Sequence, residues 1–583
     1  MKMTPLARAI WRAKYRFDRG PAGPERDIAA SWRRVARAIA AAETDNKTWE
    51  RKFLSALDDF HFLPGGRVLA GAGTGRQVTL LNCFVAGAVD DSLEAILDSL
   101  KETATTMQQG GGIGLDFSLL RPAGAAAMRT GAIASGPVTF MHTWDALCHT
   151  LLSTSTRRGA MMATLRCDHP DVEKFIDAKR DTRALRNFNL SVLITDEFIQ
   201  AIEADREWRL AFPAPGRGMP NESVPDSQVY RHTTARKLWN RICEAAHDTA
   251  EPGVLFIDTI NRENNLYYCE SISATNPCGE IPLPAYGACC LGSINLPTFV
   301  QAPFSSMAEI DRHLLHEVVR IAVRFLDDVI DISRFPLPQQ AERSRRTRRI
   351  GLGLTGLADT LAMLGLHYGS EEAREFAAGI AAQVRDIAYE TSIELARLKG
   401  TFPALDREEF LDAPFVRRLP EDLRDALREH GIRNSHLLAI APAGTISLLA
   451  GNVSSGIEPI FALESTRAIC HRDLKTRQHA ARDYAFDSWL ATGGDRAQLP
   501  DVFVTAEALP AIAHLQMQAC LQPFVDNAIS KTVTLPVDAG VPDVADIFAS
   551  AYRLGLKGCT VFRPGTRAGQ VIRSRDHDPL EHS

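Results

Sequence analysis

The pentapeptide NPCGE carries an amide, a thiol and a carboxylate in close succession. If its backbone is extended, the alternation of side chains places Asn276, Cys278 and Glu280 on one face. Pro277 stiffens the approach, and Gly279 lets the backbone pass close to a bound molecule. The trio predicts an active-site loop, although a cysteine beside a glycine is more often a small buried side chain.

Two more thiols, Cys289 and Cys290, follow after about one short loop. Clustered thiols indicate redox chemistry, because two of them can supply two electrons and end as a disulfide. Further along, the segment PAGTIS at 442–447 combines small residues and hydroxyls at an expected helix start. Backbone N–H groups there can cradle a phosphate, although such a tripeptide is usually only a turn.

An α/β framework is expected to position these groups. Short apolar runs at 79–85, 188–194 and 437–440 alternate with longer helical patterns, including 318–334 and 371–398. This alternation favours a partly parallel sheet covered by helices.

Composition narrows the functional classes. The chain has 583 residues, of which 45% are hydrophobic and 23% charged, so it can bury a large core. A formal charge of -5 offers no basic field for polymeric nucleic acid. The basic start lacks the apolar core of a secretory signal, and no apolar run is long enough for a membrane span, so we expect a soluble, cytoplasmic protein. Its 11 cysteines lack the spacing of a disulfide framework.

Two apolar stripes have helical spacing. Ser92 is placed as an N-cap before the first of them, which comprises Leu93, Ile96, Leu97 and Leu100. The second comprises Met141, Trp144, Cys148 and Leu151. Either stripe can pack in the core or form a subunit interface.

Seven ordered segments between residues 60 and 567 resemble the catalytic chain of ribonucleotide reductases. They are NPCGE with the following ACCLGSINLP, NCFV at 82–85, GGGIGLDFSLLRP at 110–122, RRGAMMATLRCDHPDVEKF at 157–175, APAGTISLLAGNVSSGIEPIF at 441–461, DNAISKTVTLP at 526–536, and GLKGCTVFRPGTR at 555–567. The resemblance implies a ten-stranded α/β barrel of the ribonucleotide reductase and glycyl-radical enzyme type. It divides the chain into a helical N-terminal region (1–60), a barrel domain (61–567) with a finger loop around 276–290, and a short tail (568–583).

The resemblance also implies a reaction. Adenosylcobalamin, through its cobalt–carbon bond, would start radical chemistry that reaches Cys278 as a thiyl radical. The radical would take the 3′-hydrogen of a ribonucleoside diphosphate, with Glu280 as general base and Asn276 holding the hydroxyls. Cys83 and Cys289 would then reduce the 2′ position and end as a disulfide. Cys289 is preferred to Cys290 because Cys290 stands where the family has asparagine.

Binding positions follow from the same comparison. Substrate contacts are expected at Gly66, Asn82, Cys83, Gly112, Asn276, Pro277, Cys278, Gly279, Glu280, Pro442, Ala443, Gly444, Thr445 and Ile446. A deoxynucleotide effector is expected at Asp91, Ser92 and Arg121, beside a helix-paired homodimer interface that the two stripes would form. Residues 157–165 resemble the loop that relays the effector's identity.

The residues in the last family-like segment, 555–567, help to distinguish the three classes of ribonucleotide reductase. Class I enzymes receive their radical through adjacent tyrosines, whereas this chain has Thr560-Val561-Phe562. The short spacing between Cys278 and Cys289 also resembles class II, and a glycyl-radical motif is missing from the sequence. The alternatives are a class I large subunit that needs a metal-radical partner and a non-catalytic nucleotide-binding paralogue.

Re-reduction of the disulfide is the open step. Relatives usually carry a cysteine pair on a C-terminal tail, and residues 568–583 contain no cysteine. Three alternatives follow: a separate chain carries such a tail, thioredoxin reaches the site directly, or the chain is truncated. Small dithiols are expected to sustain turnover better than thioredoxin alone.

Overall fold

The computed structural model describes residues 3–20, 23–127, 132–151, 160–181, 183–213, 227–471, 475–566 and 572–574. The predicted tail, 568–583, lies outside these residues except for 572–574, and so does part of the predicted relay loop, 157–159. Among the described residues, no helix is both long and apolar enough to cross a membrane.

Strands in the described part of the chain are β1 (Phe62–Pro64), β2 (Cys83–Val85), β3 (Gly112–Asp116), β4 (Ala126–Ala127), β5 (Ala132–Ile133), β6 (Met161–Arg166), β7 (Phe188–Ile194), β8 (Glu207–Pro213), β9 (Ser227–Thr234), β10 (Gly253–Phe256), β11 (Ala274–Thr275), β12 (Pro282–Leu283), β13 (Ala288–Asn295), β14 (Val300–Gln301), β15 (Glu309–Ile310), β16 (Ile350–Thr355), β17 (Glu464–Cys470), β18 (Thr476–Arg482), β19 (Thr532–Thr534), β20 (Gly558–Phe562) and β21 (Ile572–Ser574).

Helices are α1 (Pro5–Ile10, continued by a π-turn at Trp11–Tyr15), α2 (Ile28–Ala40), α3 (Asn46–Leu57), α4 (Gly66–Gly71), α5 (Leu93–Gln108), α6 (Pro137–Thr150), α7 (Val172–Ile176), α8 (Asp196–Glu203), α9 (Ala235–Thr249), α10 (Ile257–Arg262), α11 (Arg312–Ile332), α12 (Pro338–Thr347), α13 (Leu357–Met363), α14 (Glu371–Lys399), α15 (Arg407–Asp412), α16 (Pro414–Arg417), α17 (Glu421–His430), α18 (Gly444–Leu449), α19 (Tyr484–Ala491), α20 (Ala511–Leu521) and α21 (Val541–Arg553). Short 3₁₀ turns occupy Asp58–Phe60, Leu296–Phe299, Arg496–Gln498 and Gln522–Phe524.

A sheet of 10 strands organises the described residues, in the order β1-β13-β2-β3-β6-β7-β10-β20-β19, with β16 also paired to β13. Strands β2, β3, β6, β7 and β10 run parallel, and helices connect them. Isolated bridges Leu352↔Leu438 and Ile440↔Ile529 join the β16 side to the segment before β19. Residues 437–440 therefore close the sheet into a barrel, which confirms the predicted fold class.

The apolar patterns were right about regular structure where a single element spans the whole pattern. The predicted strand 188–194 coincides with β7, and the pattern at 371–398 falls within α14. The run 79–85 is a strand only at 83–85, and 437–440 forms bridges rather than a ladder. Both runs are apolar because they are buried, which by itself does not require a hydrogen-bonded ladder.

Helices α2 and α3 cover one side of the barrel. Asp27 caps α2 by accepting a hydrogen bond from Ala30 N at 2.8 Å, and the apolar face behind it includes Trp32 and Val35, both buried. The carboxylate of Glu43, just after α2, is buried and accepts hydrogen bonds from Arg324 of α11 and Lys399 of α14. An electrostatic contact therefore joins the N-terminal helices to two helices of the barrel.

Candidate active site

The segment around Cys278 is a two-stranded ribbon that lies inside the barrel. β11 and β12 pair antiparallel through Ala274↔Leu283 and Thr275↔Pro282. We call residues 274–283 the finger ribbon. It can lie against the barrel wall because β3 offers glycines: a Cβ atom at Gly114 would overlap the carbonyl oxygen of Thr275.

The tip of the finger ribbon is a turn, so the predicted extended backbone is wrong. Gly279 N donates a hydrogen bond to Asn276 O at 3.1 Å, and Gly279 has a φ of +84°. A Cβ atom there would meet nothing within 4 Å, so glycine is required by its positive φ rather than by a close approach. The three functional side chains meet through this turn and not through strand alternation.

Asn276 is held rigidly at the base of the turn. Its side chain is 1% exposed, and its Oδ1 accepts hydrogen bonds from Ile281 N at 3.0 Å and Thr275 Oγ1 at 3.2 Å. Its Nδ2 donates to Cys83 Sγ at 3.2 Å. Because an amide nitrogen carries two hydrogens, one N–H donor remains for a bound hydroxyl.

Cys83 and Cys289 lie directly opposite each other on the antiparallel strands β2 and β13. Opposite residues in such a pair have Cα atoms about 4.5–5.5 Å apart, within the range of about 4.4–6.8 Å that a disulfide spans. Both are reduced, and both belong to one small apolar cluster with Ile281 and Leu283 of the finger ribbon. The two thiols are therefore close enough to pair without backbone movement.

Cys290 lies on the other face of β13. It packs in the main core between the sheet and the helices, whereas Cys289 packs with Cys83 inside the barrel. Successive side chains of a strand point to opposite faces, so only one of two adjacent cysteines can face Cys83. The placement favours Cys289 for the redox pair.

Burial keeps the two inner thiols protonated. It raises the pKa of Cys83 well above its usual range, and the negative charge of Glu280 raises it further. Burial likewise raises the pKa of Cys289, with Cys290 adding to the shift. Cys278, in contrast, is exposed at the turn. The site thus combines one accessible thiol with two buried ones that hold their hydrogens.

Glu280 approaches the same thiol from the other side of the turn. Its Oε1 lies 3.8 Å from Cys83 Sγ, and its backbone oxygen accepts a hydrogen bond from Ala528 N at 3.0 Å. The segment that supplies Ala528 is fixed in turn by Lys557, whose Nζ donates to the backbone oxygens of Asp526 and Asn527. A buried lysine thus fixes the segment that binds the backbone of Glu280.

The remaining predicted substrate positions surround this centre. Gly112 is the β3 partner of Cys83, and a Cβ atom there would lie 3.1 Å from Pro277. Gly66 begins α4 directly after Gly65, and a Cβ atom at Gly65 would lie 2.8 Å from Asn82 Oδ1. Among the described residues, Asn82 Oδ1 is buried and has no hydrogen-bond partner, so it can accept one from a ligand.

The segment 442–446 begins a helix, as predicted. α18 starts at Gly444 after Ala443, and Gly444 N donates to Ser455 Oγ at 3.2 Å. A Cβ atom at Gly444 would meet nothing within 4 Å, so this helix end borders open space. Its backbone is accessible to a phosphate group.

The predicted effector residues lie together at the start of α5. Ser92 caps the helix by accepting from Ala95 N at 3.1 Å, as predicted. Arg121 Nε donates to Asp91 Oδ2 at 2.6 Å, and Arg121 N donates to Asp91 Oδ1 at 3.1 Å. Ser92 thus fulfils its capping role, and Arg121 is oriented by Asp91.

The two apolar stripes divide between core and surface. The buried members are Ile96, Met141, Trp144 and Cys148. Leu93 and Leu97 are 64% and 53% exposed. The second stripe is therefore core, whereas the first leaves two leucines one turn apart on the surface.

Sequence patterns missed the side chains that hold the finger ribbon. Arg349 Nη1 donates to Pro282 O at 3.3 Å and forms an ion pair with Glu270, and both side chains are almost fully buried. Asn189 Nδ2 donates to Pro277 O at 2.7 Å. A signal for Asn189 existed: it is a polar residue inside a strand whose other residues are apolar or small.

The barrel with its inner ribbon is the arrangement that the resemblance to ribonucleotide reductases implies, and sequence comparison agrees. The family model described as "Ribonucleotide reductase, barrel domain" matches residues 81–562, and "Ribonucleotide reductase, all-alpha domain" matches residues 1–77. The chain belongs to the ribonucleotide reductase large-subunit family.

Relatives within the family carry different names. A "Vitamin B12-dependent ribonucleoside-diphosphate reductase" of Mycobacterium tuberculosis is 39% identical over 100% of this chain and 82% of its own length. A protein of the same name from Thermoplasma acidophilum is 36% identical over 89% of this chain and 66% of its own length. A "Ribonucleoside-diphosphate reductase subunit alpha" of Chlamydia muridarum is 28% identical over 74% of this chain and 45% of its own length.

Proposed function

We propose that this chain reduces ribonucleoside diphosphates to 2′-deoxyribonucleoside diphosphates by a thiyl-radical mechanism started by adenosylcobalamin. The observation that carries the proposal is the three-thiol arrangement, in which exposed Cys278 stands at the finger tip while Cys83 and Cys289 face each other in the barrel. The names of the relatives from Mycobacterium and Thermoplasma support the substrate and the cofactor.

The residues at the tip fit a large cofactor that approaches from outside the ribbon. Cys278 is exposed, and Gly279 borders open space on the same turn. When bound, adenosylcobalamin supplies a radical by homolysis of its cobalt–carbon bond. Of the three thiols of the site, only Cys278 is accessible to it, because Cys83 and Cys289 are buried. Val561 and Phe562 occupy the place of the class I tyrosines and are much harder to oxidise.

The chain's own residues account for the remaining steps. Cys278 removes the 3′-hydrogen of the ribose, while Glu280 takes the proton of the 3′-hydroxyl and the remaining N–H of Asn276 holds the hydroxyls. The 2′-hydroxyl leaves as water. Cys83 and Cys289 supply two electrons and two hydrogens, one of which leaves in the water while the other goes to the 2′ carbon, and they become a disulfide. Cys278 then returns its hydrogen to the 3′ carbon and becomes a thiyl radical again. Protonated inner thiols suit this role because hydrogen must accompany the electrons.

The proposed substrate and effector positions come from the family resemblance, and the local geometry is compatible with them. The open start of α18 takes the diphosphate, and Asn82, Gly66 and Gly112 approach the ribose. Asp91, Ser92 and Arg121 bind the deoxynucleotide effector. Thioredoxin, or a chain carrying a redox-cysteine tail, renews the active-site thiols.

The exposed leucines of α5 support a homodimer. Leu93 and Leu97 lie on one helix face, and exposed apolar side chains grouped in this way mark contact surfaces. We expect Leu97→Asp to give a monomer in sedimentation velocity at a concentration where the unchanged chain is a dimer. An unchanged sedimentation coefficient would remove α5 from the interface.

The decisive experiment adds adenosylcobalamin, a dithiol and each of the four ribonucleoside diphosphates to the purified chain, with and without deoxynucleotides. Product without a second protein supports the proposal. Product that appears only with a metal-radical subunit would make the chain a class I large subunit, and binding without turnover would make it a regulatory paralogue. Cys278→Ser should abolish product while deoxynucleotide binding, measured by equilibrium dialysis, is retained.

A further inference from the structure

The stem of the finger ribbon is held by side chains of the surrounding barrel. Asn261 of α10 binds both backbone groups of Ile272, with Nδ2 donating at 2.9 Å and Oδ1 accepting at 2.8 Å. Thr164 of β6 donates to Ser273 O at 3.0 Å. Arg349 holds the opposite strand of the ribbon through Pro282. These contacts fix where the ribbon enters the barrel, but they lie away from the reactive thiol.

The turn at the tip can change conformation by a peptide flip that the contacts at Ile272, Ser273 and Pro282 do not prevent. Asn276 to Gly279 form a β-turn whose first and last residues are joined by the 3.1 Å hydrogen bond. The peptide group between Pro277 and Cys278 is its central one. Type I and type II turns differ by a flip of that central peptide, and the closing hydrogen bond is compatible with both. Cys278 has no positive φ, as type I requires.

Asn189 acts on this central peptide. It stands on β7 with its side chain exposed inside the barrel, between the buried Phe188 and Leu190. Its Nδ2 donates to Pro277 O at 2.7 Å, and that oxygen is the one that a flip would turn away. Pro277 has a fixed φ, so the flip occurs by rotation about the two bonds that flank this peptide group.

We infer that Asn189 is a positioning residue, which fixes the central peptide of the finger turn and thereby the direction of the Cys278 thiol. The inference rests on the proposed function of Cys278 as the radical-bearing residue. A flip moves the Cα–Cβ bond of Cys278 relative to the ribose and to Cys83. Hydrogen transfer depends steeply on the distance and angle between the reacting atoms, so a misdirected thiol lowers turnover more than nucleotide binding.

Three variants test the inference. Asn189→Ala removes the donor, and Asn189→Asp keeps the shape but replaces the donor by an acceptor that repels Pro277 O. Asn187→Ala is the matched control, because Asn187 lies two residues away and its Nδ2 donates to Asp145 on α6 instead. Both Asn189 variants should lower kcat about 10- to 100-fold with little change in KM. Asn187→Ala should keep kcat, whatever it does to thermal stability.

A second measurement needs neither cofactor nor nucleotide. Because Cys278 is exposed, its alkylation by iodoacetamide can be followed by mass spectrometry of the peptide that contains it. The alkylation rate should change about two- to tenfold in the Asn189 variants. This is the change expected when the net free energy of one hydrogen bond no longer favours one orientation of the central peptide group. It should stay unchanged in Asn187→Ala.

The two measurements separate the possible failures. If the unchanged chain does not reduce ribonucleotides, the proposed function fails, while the alkylation rates still test whether Asn189 controls the turn. If kcat and the alkylation rate of both Asn189 variants equal those of Asn187→Ala, Asn189 does not position the thiol. A rise in KM at constant kcat would also overturn the inference, because it would make Asn189 a substrate contact.

Discussion

The adjacent cysteines of β13 provide the sharpest test of the proposed site. Cys289 and Cys290 are both fully buried, so replacing either by serine should cost a similar amount, about 1–3 kcal/mol for an imperfectly satisfied hydroxyl. Their chemistry should differ completely. Only Cys289 faces Cys83, in a register that brings their Cα atoms to disulfide distance.

The assay is a single turnover of pre-reduced enzyme without external dithiol. The unchanged chain should form about one deoxyribonucleotide per active site, and its titratable thiols in denaturant should fall from 11 to nine. Cys290→Ser should fall from ten to eight. Cys289→Ser should keep all ten of its titratable thiols. It should also form product at least about 10³-fold more slowly, because removing one member of a catalytic unit costs about as much activity as removing several.

Peptide mapping then identifies the bond. A disulfide between the peptides of Cys83 and Cys289 is expected in the unchanged chain and in Cys290→Ser. If Cys290→Ser loses product and thiol oxidation while Cys289→Ser retains both, the wrong face of β13 has been assigned. If both variants retain them, the redox pair lies elsewhere.

Three further predictions concern the support of the site. Burial lowers the pKa of Lys557 from 10.5 to about 8, so between these pH values the unfolded chain binds more protons than the folded chain. The free energy of unfolding should therefore rise by about 3 kcal/mol as the pH increases across that window. Urea titrations at pH 7.5 and 10.5 should show this rise in the unchanged chain but not in Lys557→Met. Arg349→Met should cost about 3–5 kcal/mol, measured by denaturant midpoints, because it leaves buried Glu270 without its ion-pair partner. Gly114→Ala should abolish activity by displacing the finger ribbon, whereas Gly379→Ala, a helical position open to solvent, should be neutral or slightly stabilising.

Each has a contrary result. A parallel pH dependence in Lys557→Met would mean that other groups cause the rise. A cost of Arg349→Met below about 1 kcal/mol would mean that the uncompensated charge of Glu270 matters little. An active Gly114→Ala would mean that the finger ribbon does not lie against β3 in the working enzyme.

Sequence patterns correctly predicted the elements whose formation depends mainly on residues close together in the chain. The strand at 188–194 and the helix at 371–399 are long enough for periodicity to identify them, and Ser92 is a cap whose acceptor and donor lie within one turn. The motif residues were found because their types are chemically unusual together. The alternation of strands and helices predicted an α/β fold with a partly parallel sheet, whereas the ten-stranded barrel was predicted from the family resemblance.

What the sequence left undecided depends on single dihedral angles and on register. One positive φ at Gly279 turns an expected strand into a tight turn. The choice between Cys289 and Cys290 needs the register of β13 against β2, and a slip of one residue would exchange their faces. Asn189 meets Pro277 across 88 positions of sequence, a contact that only the folded barrel creates.

The same burial that protects the inner thiols also limits how they are renewed. Cys289 is fully buried and Cys83 is 4% exposed, so a disulfide between them offers little surface to a protein reductant. Exchange requires the attacking thiolate to reach one sulfur in line with the bond. We therefore expect dithiothreitol to sustain many turnovers and thioredoxin alone to be slow. Addition of a cysteine-bearing peptide or chain that can enter the barrel should restore the rate with thioredoxin. Equal steady-state rates with thioredoxin and dithiothreitol would mean that the barrel opens widely enough during each cycle for a whole protein to reach Cys83 or Cys289.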